Sequence, residues 1–194
     1  MEKLVNDKLY YVDKVGTRQQ IRETIFKFHA RFPDEKMVIT LDHSLLVRAL
    51  DESSEIELMA ELGKMFIEVR KDLGALIIMI GQLNDKMEDP RRRDPFMNYP
   101  TKTDLHGSKQ IYHAADVVLV LNRPELLNLE TYGPKRYPTR SSLFLHCLKQ
   151  RKGDVGLIRY THDFAHGNIY EYVEPPPTVS ASVPYSDATV LYGI

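Results

Sequence analysis

The chain has 194 residues, 43% of them hydrophobic, which suits one domain with its own core. Its 26 basic and 27 acidic residues nearly cancel, so no global field draws it toward nucleic acid or membrane, and any polyanion site has to be local. A single cysteine, Cys147, excludes an internal disulfide; no apolar run approaches the ~18 residues that span a bilayer, and the amino end lacks a signal peptide's apolar run, so a reducing cytoplasm is the expected compartment.

In chain order, "KLYYVD" reads as a short strand. "TRQQIRETIFKFHARF" follows, with Ile21, Ile25, Phe28 and Phe32 on one helical face and Thr17 with Gln20 as its cap. "MVITL", residues 37–41, is a continuous apolar run expected to be a strand buried on both faces, and it ends on Asp42. The next helix has a Ser54/Glu57 capping box and an inner face of Leu58, Leu62, Met65, Phe66 and Val69. "ALIIMI", residues 75–80, is a second apolar strand running into "GQLND". "KMEDPRRRDPFMNYPTKTDLHG" has no period and three prolines, the mark of a long loop. "GSKQIYHAA" is expected to form a short helix and "DVVLVL" a third buried strand. "LFLHCLKQ", "VGLIRYT" and "NIYEYV" then follow with short turns, as antiparallel hairpins do. Residues 1–173 form the expected domain, and 174–194, rich in Pro, Ser and Thr, a tail.

This order describes an open α/β sheet extended by antiparallel strands, and such sheets bind ligands at the carboxyl ends of their parallel strands. Asp42 and Gln82 each lie just past such an end. An acid there suits the water shell of Mg²⁺, and an amide there suits an attacking water or a γ-phosphate; both residue types also serve as ordinary turn and cap formers. Lys149 and Arg151, two residues apart on a hairpin, project to one side as a pair of cations. Such a pair fits a phosphate supplied from outside the domain, or simply keeps an edge strand soluble. Arg91, Arg92 and Arg93 offer a basic trio in a Pro-flanked loop, open to nucleic acid or to solvent. No His/Cys/Asp spacing resembles a zinc site.

Taken together, "MVITLDHSLL", "LIIMIGQLND", "DLHGSKQIYHAADVVLVLNRPE" and "KQRKGDVG" resemble, in order, four motifs of the RecA-like ATPase domain of DnaB-type replicative DNA helicases. The resemblance runs from about Leu9 to Val173 and implies a RecA-like, mostly parallel sheet flanked by helices, with carboxyl-terminal hairpins. It implies ATP and Mg²⁺ as cofactors, with Asp42 in the metal's shell, Gln82 linking the γ-phosphate to the DNA loop, and Lys149 with Arg151 reaching the ATP of a neighbouring subunit. It further implies a hexameric ring on single-stranded DNA, with His106, Gly107, Ser108 and Lys109 lining the channel. His43 and Asp85 depart from the family's usual residues at their positions.

The family's phosphate loop, GxxxxGK followed by Ser or Thr, is absent from the 194 residues; "ELGKMF" lacks both the first glycine and the hydroxyl. The chain reads either as a fragment or split product of such a domain, its missing half supplied by a separate phosphate-loop-bearing chain or cut away, or as an inactive RecA-like DNA-binding or regulatory module. Strand-exchange recombinases and circadian-clock-type ATPases share the strand order.

Overall fold

The computed structural model describes residues 9–13, 16–43, 47, 54–94, 97–105 and 109–174. Helix α1 spans Arg18–Arg31, and its start is fixed reciprocally: Thr17 Oγ1 accepts from Gln20 N (3.3 Å) while Gln20 Oε1 accepts from Thr17 N (2.9 Å). Helix α2, Glu55–Leu73, opens with the same device between Ser54 and Glu57 and ends at Gly74, whose φ of 62° is the left-handed cap that glycine adopts without a Cβ clash. Leu62, Met65 and Val69 of α2 are fully buried, and with Met59, Phe66, Ile25, Met37 and Ala75 they form the core.

Strands β1 (Val38–Leu41) and β2 (Leu76–Met79) pair in parallel, from Val38 opposite Leu76 to Leu41 opposite Met79. Ile39, Leu41, Ile77 and Met79 point onto the helical core. Helix α3 (Lys109–Ala114) leans on α2 at Gly63, where an added Cβ would sit 3.4 Å from Ile111 and 3.5 Å from Ala114. Strand β3 (Val117–Asn122) joins a separate antiparallel sheet. Short β4 (Thr131–Tyr132) and β5 (Tyr137–Pro138) pair with each other, and β6 (Ser142–Gln150), β7 (Gly156–Asp163) and β8 (Asn168–Glu171) complete the order β3-β6-β7-β8.

Two expectations are corrected, and a third is borne out in part. Residues 9–13, read as part of a strand, have no regular structure, although Tyr10 stacks edge-on against Phe28 of α1. The mostly parallel sheet is seen only in part: among the described residues the sole parallel pair is β1–β2, and β3 pairs with β6 alone, antiparallel. The apolar strands are not buried on both faces. Val38, Leu76, Ile78 and Ile80 on one sheet and Val117, Leu119 and Leu121 on the other are 44–60% exposed. Their apolar composition is that of fully covered strands, yet nothing among the described residues covers these faces or pairs with the free edges of β2 and β3.

Polar contacts join the described residues of the segment between β2 and α3. Single 3₁₀ turns at Asp85–Glu88 and Pro90–Arg92 are capped by the side chains of Asn84 and Asp89. Buried Asn98 donates to Arg92 O (3.0 Å), and Leu83 bridges Leu105. Tyr99 packs over Gly133, where any side chain would collide with the Tyr99 hydroxyl and where φ is 71°. Residues 175–194, the greater part of the expected tail, lie outside the described residues. No described helix is long and apolar enough to cross a membrane.

Candidate functional site

The parallel register brings two of the expected site residues to one end of one sheet. Ile80 N donates to Leu41 O (2.9 Å), which carries the pairing one step beyond the strands and sets Asp42 beside Ile80, two residues before Gln82. Both side chains are exposed, and neither makes a hydrogen bond or ion pair with the described residues. A carboxylate whose oxygens are uncommitted, next to an uncommitted amide, is chemically suited to the water shell of a hard cation. Among the described residues no cluster of three metal-ligating side chains exists, so a divalent ion here would depend on waters and on its anionic ligand.

The hairpin cations sit together, as the spacing foretells, but they face their own chain. Lys149 Nζ donates to Tyr112 O (2.6 Å) and His113 O (3.0 Å), and Arg151 Nη2 donates to the same His113 O (3.2 Å). Arg151 Nε also pairs with Asp116 Oδ1 at 2.9 Å, while Arg70 of α2 occupies Asp116 Oδ2. The register of β6 against β3 shifts between Val118 and Leu119, so Leu148 is the extra residue; its carbonyl accepts from Tyr112 Oη at 3.1 Å. That bulge aims the end of β6 at the carboxyl end of α3. The Arg70 hydrogen bond holds the Asp116 carboxyl below the usual carboxylate range, with the charges of Arg151 and Lys149 adding to it. Partial burial, then the neighbouring Arg151 charge, lowers the Lys149 ammonium.

Asp116 and Arg70 were not singled out by the sequence reading, which took Asp116 only as the first residue of an apolar strand. The legible signal was the clustering of Lys149 and Arg151, since two cations docked within a chain need a counter-charge.

The arginine trio divides. Arg92 is turned inward: Nη1 pairs with Asp104, whose side chain is 2% exposed, Nη2 donates to Tyr99 O (2.8 Å) and Nε to Met97 O (3.3 Å). Burial raises the Asp104 carboxyl, but hydrogen bonds from Arg92 and Thr101 outweigh this and leave it below its ordinary value. Arg92 is thus the organiser of the segment. Arg91 lies at the surface against Asp89 (2.7 Å), and Arg93 is exposed. His106, Gly107 and Ser108 lie outside the described residues, and Lys109 is the first residue of α3.

A parallel strand pair presenting an acid and an amide at its carboxyl end, backed by helices and followed by a cation-bearing antiparallel hairpin, is an arrangement that accords with part of a RecA-like fold. The chain belongs to the DnaB-like helicase C-terminal domain family, whose model matches residues 1–169. A probable plasmid replicative DNA helicase of Chlamydia trachomatis is 30% identical over 118 residues, 60% of this chain and 25% of that protein. A probable replicative DNA helicase of Trieres chinensis is 20% identical over 138 residues, 70% of this chain and 29% of that protein. The chain thus spans between a quarter and a third of the length of these relatives. Among solved structures, one ATPase domain superposes with a TM-score of 0.67 at 20% identity, covering 83% of this chain and 54% of that one. A DnaB-like replicative helicase described with its primase interactions gives 0.68 at 19%, covering 84% and 37%.

Proposed function

We propose that the chain supplies the later half of the ATP-driven motor of a replicative DNA helicase, a head-to-tail ring translocating on single-stranded DNA. The observation that carries this reading is the break in the sheet: among the described residues β2 and β3 each present a free edge and an open apolar face, while Asp42 and Gln82 have no described partner at the carboxyl end of β1–β2. A strand-and-helix unit bearing a phosphate loop would pair with these edges, cover these faces and bring a triphosphate cradle to the end where Asp42 and Gln82 wait.

The residues present fit one part of the nucleotide site. Asp42 has the free oxygens to hold water on Mg²⁺, and Gln82 an amide free to contact a γ-phosphate or a water; the backbone cradle and its lysine are not among these 194 residues. When bound, the metal would neutralise charge on the phosphate oxygens. Lys149 and Arg151 would turn to the triphosphate of the adjacent subunit. DNA would contact Arg91 and Arg93 at the surface and the expected channel residues His106 to Lys109, while Arg92 holds its inward contacts to Asp104, Tyr99 and Met97. The compartment for such a protein is the cytoplasm.

The test is reconstitution with a phosphate-loop-bearing half domain. The chain alone should not hydrolyse ATP; the mixture should, and Asp42→Ala should abolish turnover. One observation favours a second reading, an inactive DNA-binding or regulatory module: Arg151 is already paired within its own chain. No turnover in any mixture, with salt-sensitive single-strand binding retained, would select that reading.

A further inference from the structure

Three cations share one carboxylate at the junction of α2, α3, β3 and β6. Asp116 is held by Arg70 on one oxygen and by Arg151 on the other, and Lys149 adds a third positive charge nearby. The local surplus is two positive charges, so the cluster is disposed toward an added anion. Asp116 is also provided for twice. If Arg151 leaves, Arg70 still neutralises the carboxylate, and no stranded charge opposes the departure. Arg151 is about half exposed.

The departure has a second effect. The last carbonyls of a helix lack intrahelical donors and need them from elsewhere. Those of α3, Tyr112 O and His113 O, receive three hydrogen bonds from the two hairpin cations, and if the cations turn away water would replace these charged donors. Helix α3 is six residues long and cannot sustain itself by propagation. It follows directly after residues 106–108.

We infer that Asp116 is a positioning residue that parks Arg151 against α3, and that a triphosphate taking Arg151 and Lys149 uncaps the carboxyl end of α3. The clamp makes the nucleotide of one subunit and the carboxyl end of α3 of its neighbour alternative claimants on the same cations. This inference rests on the reading of Lys149 and Arg151 as phosphate-binding groups, and deepens it.

Hydrogen exchange of the α3 amides in the full chain, with inorganic tripolyphosphate as the probe and sodium chloride at matched ionic strength as the control, tests both levels separately. In the wild type the probe should speed exchange of the amides of residues 113–115 about tenfold, the change expected on losing a bond from a charged donor. Asp116→Asn keeps the shape but weakens the clamp: it should bind the probe severalfold more tightly and exchange faster without it. Arg151→Ala and Lys149→Met should weaken probe binding. Probe binding that depends on Arg151 and Lys149 while α3 exchange stays unchanged would overturn the uncapping and leave the phosphate reading standing. Probe binding that is absent, or indifferent to both substitutions, would overturn the phosphate reading and the inference with it. Unaltered probe affinity in Asp116→Asn would remove Asp116 from the scheme.

Discussion

Inside the β3–β6 sheet a neutral histidine is locked into a hydroxyl and amide network. His146 is 4% exposed, its Nε2 lies 2.8 Å from Tyr132 Oη, and that hydroxyl also accepts from Asn122 Nδ2 at 3.0 Å. Burial pushes the imidazole down to about 4 and raises the Tyr132 phenol above its ordinary value. In the unfolded chain the same histidine titrates near its usual ~6.5. The native state therefore refuses a proton that the unfolded state accepts, and stability present above pH ~6.5 is lost as pH falls toward 4, on the order of 3 kcal/mol in all. Urea unfolding at pH ~7.5 and ~4.5, either side of most of this window, should show the loss, and His146→Gln should flatten most of it; equal slopes in the two proteins would refute the assignment. A second test at this scale concerns Arg92. Arg92→Ala leaves Asp104 buried without its cation and should destabilise by roughly 3 kcal/mol, whereas Arg91→Ala and Arg93→Ala should change stability by less than ~0.5 kcal/mol. Chemical denaturation of the three variants distinguishes an inward organiser from two surface cations.

At the scale of elements, capping boxes and periodicity were legible because they are local. Thr17/Gln20 and Ser54/Glu57 act within four residues of chain, and the α2 face of Leu62, Met65, Phe66 and Val69 follows from 3.6-residue spacing alone. The partner of a strand face is not local. "MVITL" and "ALIIMI" state that the residues prefer cover, but not that the cover comes from the same 194 residues, and so burial on both faces was the wrong inference. The order in the segment after β2 was illegible for a similar reason, since Arg92 meets Asp104 across twelve residues. At the candidate site, Asp42, Gln82, Lys149 and Arg151 were visible as residue types at strand ends and on a hairpin; Asp116, which engages Arg151, was hidden in an apolar run. The open faces yield a prediction: Ile78→Glu and Leu119→Glu should shift the stability of the chain alone by no more than ~0.5 kcal/mol, as surface changes do, yet abolish association with a phosphate-loop half domain. Denaturation and sedimentation of each variant check this. A large loss of stability in the chain alone would mean that the faces are covered within the chain.

For the whole molecule, the two sheets and the edges left open among the described residues accord with the proposed reading, in which the chain is part of a motor and its charge-bearing hairpin would serve a neighbour's nucleotide. On that proposal Asp42 and Arg151 would belong to different active sites of a head-to-tail ring, each completed by the neighbour. Arg151 paired to Asp116 is the resting position of that scheme, and in the competing module reading it is the permanent one. Mixing the two single variants in the reconstituted assembly decides between them. Asp42→Ala and Arg151→Ala assemblies should each be inactive. Mixed in equal amounts they should recover ATP turnover, with about a quarter of the interfaces complete in a randomly assembled head-to-tail ring. Full turnover in the Arg151→Ala assembly, or no recovery on mixing, would contradict delivery of Arg151 to the neighbouring subunit.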